Sequence, residues 1–426
     1  MNRSPIHALV SSSLADVACD VGLDGLNLIC SAVAGPGFAA TWEIENRTDA
    51  IRTTLIEIQR LAEAAGYGGL RVIVEPTGIY HKLLLRLARQ LGCQTAMVNA
   101  AHVSKMREVI YGDPGKTDRR DPRAIEGVAR QGRVIVDRQL PEIYQLLRHW
   151  TLLYASAEAS IIECKNKVHR VVKLLFPDFA FSTDFLYSES GRAVVRCFGL
   201  NPHRIAAERP RRMLTRLRKA SNIRPSSIER LRTQARTSIS SAPAGRMADL
   251  LERELRLVWE ELELHENRRR QARQALESLY DEARLDDTQL PEPQRGVISK
   301  LALARLVGEL GPFRDFSSWR QLLKMSGMNL CERKSGKYIG QTKISRTGRA
   351  GARAVLNQVA LPLVKRNQLY GPYYHRKRDV EKMPGNKAMT AVARKALKMI
   401  WGLYRSTATF DRTRVFTCAS EFRLAA

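Results

Sequence analysis

The chain is poor in acid. Over 426 residues, 70 Lys and Arg face 43 Asp and Glu, which leaves a net charge of +27 and a pI near 10.2. So few carboxylates cannot screen the base, and the chain should be drawn to polyanions, with nucleic acid as the default partner. It also lacks any cysteine pattern: Cys19, Cys30, Cys93, Cys164, Cys197, Cys331 and Cys418 stand singly, odd in number, never as CxxC and never near paired histidines. That argues against structural zinc and leaves reduced, mostly buried thiols. No apolar run approaches the length of a spanning helix, and Met1 to Ser13 has no apolar core followed by a cleavage site. A cytoplasmic protein with no membrane partner is expected. What is present is 44% hydrophobic content, ample for the cores of two or three domains at about 150 residues each.

In the first third, Leu14 to Gly22, Leu26 to Ala34 and Phe38 to Glu45 are short apolar runs spaced by Gly and Asp. They predict three strands of an antiparallel meander. Helical periodicity follows over Thr48 to Ala65, then a buried strand over Leu70 to Val74, a helix over Ile79 to Leu91, a strand over Gln94 to Asn99 and a short helix over His102 to Val109. This mixed α/β order is that of a ribonuclease-H-like fold. Ligands of such sheets sit beyond the carboxyl ends of strands, and there Asp20 falls late in the first strand and Glu75 ends the fourth.

The stretch Lys116-Thr117-Asp118-Arg119-Arg120-Asp121 puts two carboxylates three residues apart. If Asp118 opens a helix, Asp121 lies one turn on and both acids share a face. A plain N-cap would account for one of them, and Asp16 or Asp24 could stand in for Asp20. Four acids at the expected element ends nevertheless point to one shared cause, a site for one or two magnesium ions. Hard cations take oxygen ligands, and phosphoryl transfer on DNA uses such ions to stabilise attacking and leaving oxygens.

From Glu142 to Phe176 the apolar positions Ile143, Leu147, Trp150, Tyr154, Ala157, Ile161, Cys164, Val168, Val171 and Leu175 alternate at spacings of four and three, a coiled-coil seam stopped by Pro177. A second seam runs from Leu251 to Leu279, broken by His265 and Arg269. The two could pair with each other or with a second subunit. Between them, residues 178–244 have weak periodicity and a dense basic run, read either as a solvated face or as a phosphate-contacting insertion. In the last third, helices are expected over Val297 to Leu310, Phe316 to Met325, Gly348 to Val364 and Lys387 to Tyr404, around a Gly/Ser/Lys-rich loop from Ser326 to Thr347. The resulting division is 1–140 catalytic, 141–285 coiled coil with the Arg-rich insertion, and 286–426 C-terminal. Its class is α/β plus α.

The set Asp20, Glu75-Pro76-Thr77-Gly78-Ile79-Tyr80 and Lys116 to Asp121, followed downstream by Met325-Ser326-Gly327-Met328, Lys334-Ser335-Gly336 and Ile344-Ser345-Arg346-Thr347-Gly348, resembles the IS110 family of DEDD transposases, which includes Piv-type DNA invertases. The resemblance spans nearly the whole chain. It implies a RuvC-like N-terminal domain in which Asp20, Glu75, Asp118 and Asp121 hold Mg²⁺, and a C-terminal transposase domain whose nucleophilic serine falls on Ser335. It implies attack of that serine on a DNA phosphodiester to give a phosphoserine link, which conserves the bond energy for rejoining. It further implies donor and target double-stranded DNA, a structured bridge RNA as guide, a homodimer or homotetramer, and a bacterial, nucleoid-associated location. Lys116, Arg333, Lys334, Lys337, Lys343 and Arg346 are the candidate nucleic-acid contacts.

The chain departs from the family pattern at three places. Leu23 stands where a lysine often follows the first aspartate, the helix-hairpin-helix-like segment is degenerate at Arg295-Gly296-Val297-Ile298-Ser299, and the Arg-rich stretch is longer than in compact members. The reading is a transposase that excises and integrates an insertion sequence. The alternatives are a Piv-type invertase, a metal-dependent junction nuclease with Ser335 idle, and a nucleic-acid-binding protein whose acids are structural.

Overall fold

The computed structural model describes residues 14–34, 38–76, 78–113, 115, 117, 120–332, 334–335, 338–340, 342–366 and 370–406; at 334, 335, 338, 339 and 366 it describes the backbone alone. The chain divides into two compact units, Met1–Gln139 and Leu140–Ala426.

The first unit is built on one sheet. Strands β1 (Ala15–Val21), β2 (Gly25–Cys30) and β3 (Ala40–Glu45) form the expected meander, and after helix α1 (Thr48–Ala64) strand β4 (Leu70–Val74) returns beside β1. Helix α2 (His81–Gln90), strand β5 (Gln94–Met97), helix α3 (Ala100–Tyr111) and helix α4 (Asp121–Arg130) follow, then a two-residue strand β6 (Ile135–Val136) antiparallel to β5. The order across the sheet is β3-β2-β1-β4-β5-β6, with β4 parallel to both β1 and β5. All five residues of β4 are buried, as a central strand covered on both faces requires. β3 alternates half-buried and exposed, as an outer strand should. Odd residues of β1 (Val17, Cys19, Val21) pack with Ile51, Leu55 and Ile58 of α1 and with Leu84 and Ala88 of α2. Ala18 and Ile73 instead pack with Val103 and Met106 of α3 and with Ala124, Ile125 and Val128 of α4. Strand alternation therefore gives β1 and β4 one face under α1 and α2 and the other under α3 and α4.

The second unit hangs on two long helices, α5 (Glu142–Leu175) and, after the Arg-rich stretch, Arg246–Asp286. The seam of α5 is buried at Ile143, Leu147, Tyr154, Ala157, Ile161, Cys164, Val168, Val171 and Leu175. These two helices pack along each other within the same chain, which answers the pairing question that spacing left open. Residues 178–244, featureless by periodicity, form five short helices: α6 (Thr183–Tyr187), α7 (Glu189–Phe198), α8 (Pro202–Ala207), α9 (Pro210–Arg218) and α10 (Pro225–Ser238), with Arg246–Asp286 then α11. Their starts are written in caps rather than periods. Ser182, Ser188 and Asn201 accept backbone N–H bonds at α6, α7 and α8, and Pro opens α8, α9 and α10. One core joins them to the ends of α5 and α11 that carry Val168 and Leu251.

A second core joins the other ends of α5 and α11 to α12 (Lys300–Leu310), α13 (Trp319–Met325), α14 (Ala350–Arg366), α15 (Tyr370–His375) and α16 (Gly385–Ser406). The expected start of α12 moves to Lys300, because Ser299 caps it through Ala302 N–H. The loop expected from Ser326 to Thr347 carries two small ladders. Strands β7 (Leu330–Cys331) and β10 (Lys343–Ile344) pair, and between them β8 (Lys334–Ser335) pairs with β9 (Tyr338–Ile339). Cys19, Cys30, Cys93 and Cys164 are buried free thiols, Cys197 is half-buried and Cys331 exposed; Cys418 lies outside the described residues. Among the described residues no helix is long and apolar enough to cross a membrane.

Candidate active site

The first two acids are brought together by register. Asp16 pairs with Arg71 across β1 and β4, and Cys19 with Val74 at the end of β4, so the positions that follow this last pair are Asp20, still on β1, and Glu75, the first residue past β4. Neighbouring strands run about 4.8 Å apart, so the two residues stand side by side at the carboxyl ends of adjacent parallel strands. The Asp16–Arg71 bond proves which face they share. Asp16 and Arg71 are on the same parities as Asp20 and Glu75, and their side chains meet through two 2.7 Å bonds on the face under α4. That ion pair also removes Asp16 as a stand-in for Asp20. Its carboxylate is held by Arg71, four residues upstream of Asp20 on the strand. Asp24 lies exposed in the β1–β2 turn.

Asp121 is delivered by α4, the helix that covers that face. Thr117 carbonyl oxygen accepts from the backbone N–H of Arg120 and Asp121, so the helix proper opens at Asp121, with Pro122 in its first turn. The expected start at Asp118 thus moves three residues on, and Asp118 itself lies outside the described residues. Asp121 is 1% exposed, and its Oδ1 accepts from Arg107 Nη1 of α3 at 2.7 Å. Arg107 was not singled out from the sequence, because nothing in helical periodicity marks one arginine of a helix as the partner of an acid fourteen residues on. Glu126, one and a half turns further along α4, accepts from Ser31 backbone N–H and hydroxyl and from Arg130, which ties α4 to the end of β2. Among the described residues no group of three or more His, Cys, Asp and Glu side chains stands close enough to hold a metal ion. The described acids therefore supply a pair, Asp20 and Glu75, under a helix whose own acid is engaged by arginine. Their oxygens are the donor type a hard divalent cation takes.

In the second unit the motifs Met325 to Met328 and Ile344 to Gly348 form the neck of the serine loop. Arg346 N–H donates to Gly327 O, Arg349 N–H to Met325 O and Ser345 N–H to Asn329 O, while Ser345 Oγ reaches Asn329 Oδ1 at 2.6 Å. Arg353 of α14 ties both strands of the neck by donating to Ser326 O and Gly348 O. The neck is tight enough to need its glycines. A Cβ on Gly348 would meet Met325 O at 2.4 Å, and Gly327 is held at φ 68° with the Arg346 and Thr347 backbone 3.0 Å from where its Cβ would stand. Arg346 is held at φ 57°, a left-handed conformation rare for a side chain of that size, as happens where surrounding structure over-determines a functional loop. Beyond the neck, Ser335 sits in a hairpin, opposite Tyr338. Its side chain and those of Arg333, Lys334 and Lys337 lie outside the described residues, as does Lys116. Lys343 and Arg346 are exposed at the neck.

Two family models match the chain. One, described as a transposase of the DEDD IS110 type, matches residues 37–177 and so begins after Asp20. The other, the transposase IS116/IS110/IS902 family, matches residues 296–375, which take in the serine loop and its neck. A comparison with curated proteins returns no match. The two spans together take in a little over half of the sequence, at both ends of the motif order, and the chain belongs to the IS110 family of DEDD transposases.

Proposed function

We propose that this transposase excises and integrates an insertion sequence through a covalent phosphoserine intermediate, with Ser335 as nucleophile and Asp20, Glu75, Asp118 and Asp121 as the acid set of a ribonuclease-H-like, RuvC-type domain. The observation that supports the reading is the β1–β4 register, whose last pair, Cys19 with Val74, directly precedes Asp20 and Glu75. Two carboxylates on neighbouring strand ends can share one cation. Their oxygens suit Mg²⁺, which when bound supplies charge stabilisation for the attacking and leaving oxygens of a phosphodiester.

The remaining chemistry belongs to the chain. The Ser335 hydroxyl oxygen forms a bond to phosphorus and gives up its proton, while the scissile P–O bond breaks and the departing strand end takes a proton. One phosphoester is exchanged for another, so the later attack of a strand-end hydroxyl on the phosphoserine rejoins DNA and restores the serine without external energy. The pinned neck from Gly327 to Gly348 supports this role, because a nucleophile must be presented by a rigid base. The excess of Lys and Arg supports binding of double-stranded donor and target DNA and of a structured guide RNA, by a homodimer or homotetramer.

Adduct trapping tests the reading. The purified protein, with the RNA encoded beside its gene and a donor fragment, should yield a protein–DNA adduct resistant to denaturant, and Ser335→Ala should abolish the adduct while DNA binding persists. An adduct that survives Ser335→Ala excludes the serine.

A further inference from the structure

The Arg-rich lobe α8–α10 is not used by the site above. Between Pro202 and Gly245 the sequence carries eleven Arg and Lys against two Glu, about a third of the net charge of +27 in about a tenth of the length. A solvated face would be expected to mix signs. The fold fixes where this charge goes. Met213 and Leu217 turn α9 inward, and Ile228, Leu231 and Ala235 do the same for α10, all within the core shared with α5 and α11. The opposite faces must then carry Arg211, Arg212, Arg218 and Lys219 on and just after α9, and Arg224 and Arg236 at either end of α10, all exposed.

Four acids of the neighbouring α11 are already taken. Glu252 is paired with Arg204, Glu263 with Arg192 and Arg196, Glu266 with Arg192, and Glu254 with Arg170. No carboxylate among the described residues pairs with any of the six outward cations. Arg209 and Arg224 even occupy the N-cap positions of α9 and α10, with no acid in either first turn, where the helix dipole disfavours a cation. Such a surface is electrostatically costly alone and favourable against phosphate.

The type of nucleic acid follows from what the lobe lacks. From Gly199 to Val258 there is no Phe, Tyr or Trp. Unpaired strands are gripped by stacking bases on open aromatic rings, and the rings that border the lobe are taken: Phe198 is buried beneath Arg216, and Phe181 is stacked on Phe185 with Arg230 over it. The lobe offers guanidinium groups interleaved with exposed Thr215, Ser226, Thr233 and Thr237, the chemistry of sequence-independent backbone contact. We infer that the α8–α10 lobe is a second, non-catalytic binding site for the phosphate backbone of duplex DNA. This rests on the transposase reading only for the choice of DNA as the duplex.

The test uses the full-length protein and three probes of matched length: random-sequence duplex DNA, duplex RNA and single-stranded DNA. In Arg211→Ala/Arg212→Ala/Arg218→Ala/Lys219→Ala, duplex DNA affinity should fall at least about tenfold. The slope of log K against log salt should flatten by roughly 2 to 4, at about 0.9 per lost phosphate contact. The charge-keeping Arg211→Lys/Arg212→Lys/Arg218→Lys variant should retain most of the affinity, and an unchanged unfolding midpoint checks that the exposed substitutions leave the fold intact. Unchanged duplex DNA affinity and slope would overturn the inference, as would a loss confined to duplex RNA or to single strands. These outcomes are separate from Ser335 adduct formation, so the lobe can fail while the catalytic reading stands, and the reverse.

Discussion

Replacing Arg107 by Gln removes the cation that meets Asp121, and the outcome bears on both stability and metal binding. Asp121 is 1% exposed and the Arg107 side chain 12%, so the pair is shielded from water and little screened by salt. Removing one member of a buried pair costs on the order of 3 kcal/mol, because the remaining charge keeps its desolvation penalty. Surface pairs in contrast cost under about 1 kcal/mol. The assay is urea unfolding of wild type, Arg107→Gln, Asp121→Asn and the double variant, each with and without Mg²⁺. The double variant should be less destabilised than the sum of the singles, since both single changes remove the same Arg107–Asp121 contact. If Asp121 belongs to the metal site, Mg²⁺ at ten times the dissociation constant of Arg107→Gln should stabilise that variant by about 1.4 kcal/mol and wild type by less, since the arginine no longer competes for the carboxylate. Asp121→Asn should lose that response. A cost under about 0.5 kcal/mol for Arg107→Gln would refute the buried-pair argument, and equal Mg²⁺ responses in all four proteins would remove Asp121 from the metal site.

Gly308→Ala should destabilise the second unit by roughly 1–2 kcal/mol in denaturant unfolding. Helix propensity favours alanine by about 1 kcal/mol, but the new Cβ would stand 2.7 Å from Leu147 O, a backbone atom of α5 that cannot swing away. Burial pushes the phenols of Tyr144 and Tyr404 up to about 12, with Asp287 adding to the effect, while an unfolded tyrosine ionises near pH 10. The folded state holds protons that the unfolded state releases, so the stability these two rings contribute, read as the difference in urea midpoint between wild type and Tyr144→Phe/Tyr404→Phe, should be level below about pH 10 and fall from there towards pH 12. A flat profile across that window would contradict the burial of both rings.

Much of this protein could be read along the chain because its elements declare themselves locally. The periods of α1, α5 and α11 and the apolar runs of β1 to β5 depend on residues close in sequence, and they place Asp20 and Glu75 at strand ends without reference to any partner. The α6–α10 lobe was missed for the same reason reversed. Helices of five to fourteen residues are too short for a period to accumulate, and their Ser, Asn and Pro starts carry the information instead.

Tertiary structure alone decided the long-range relations. That Asp20 and Glu75 both follow the last paired position of β1 and β4 is a matter of register between strands 55 residues apart, and a slip of one residue would send one of them to the other face. That α5 pairs with α11 in the same chain, that Arg107 claims Asp121, and that Gly327 and Gly348 close a neck beneath Ser335 all depend on backbones meeting across long separations. Sequence spacing carries no term for such meetings, because they are selected by how whole faces bury together and not by any local preference.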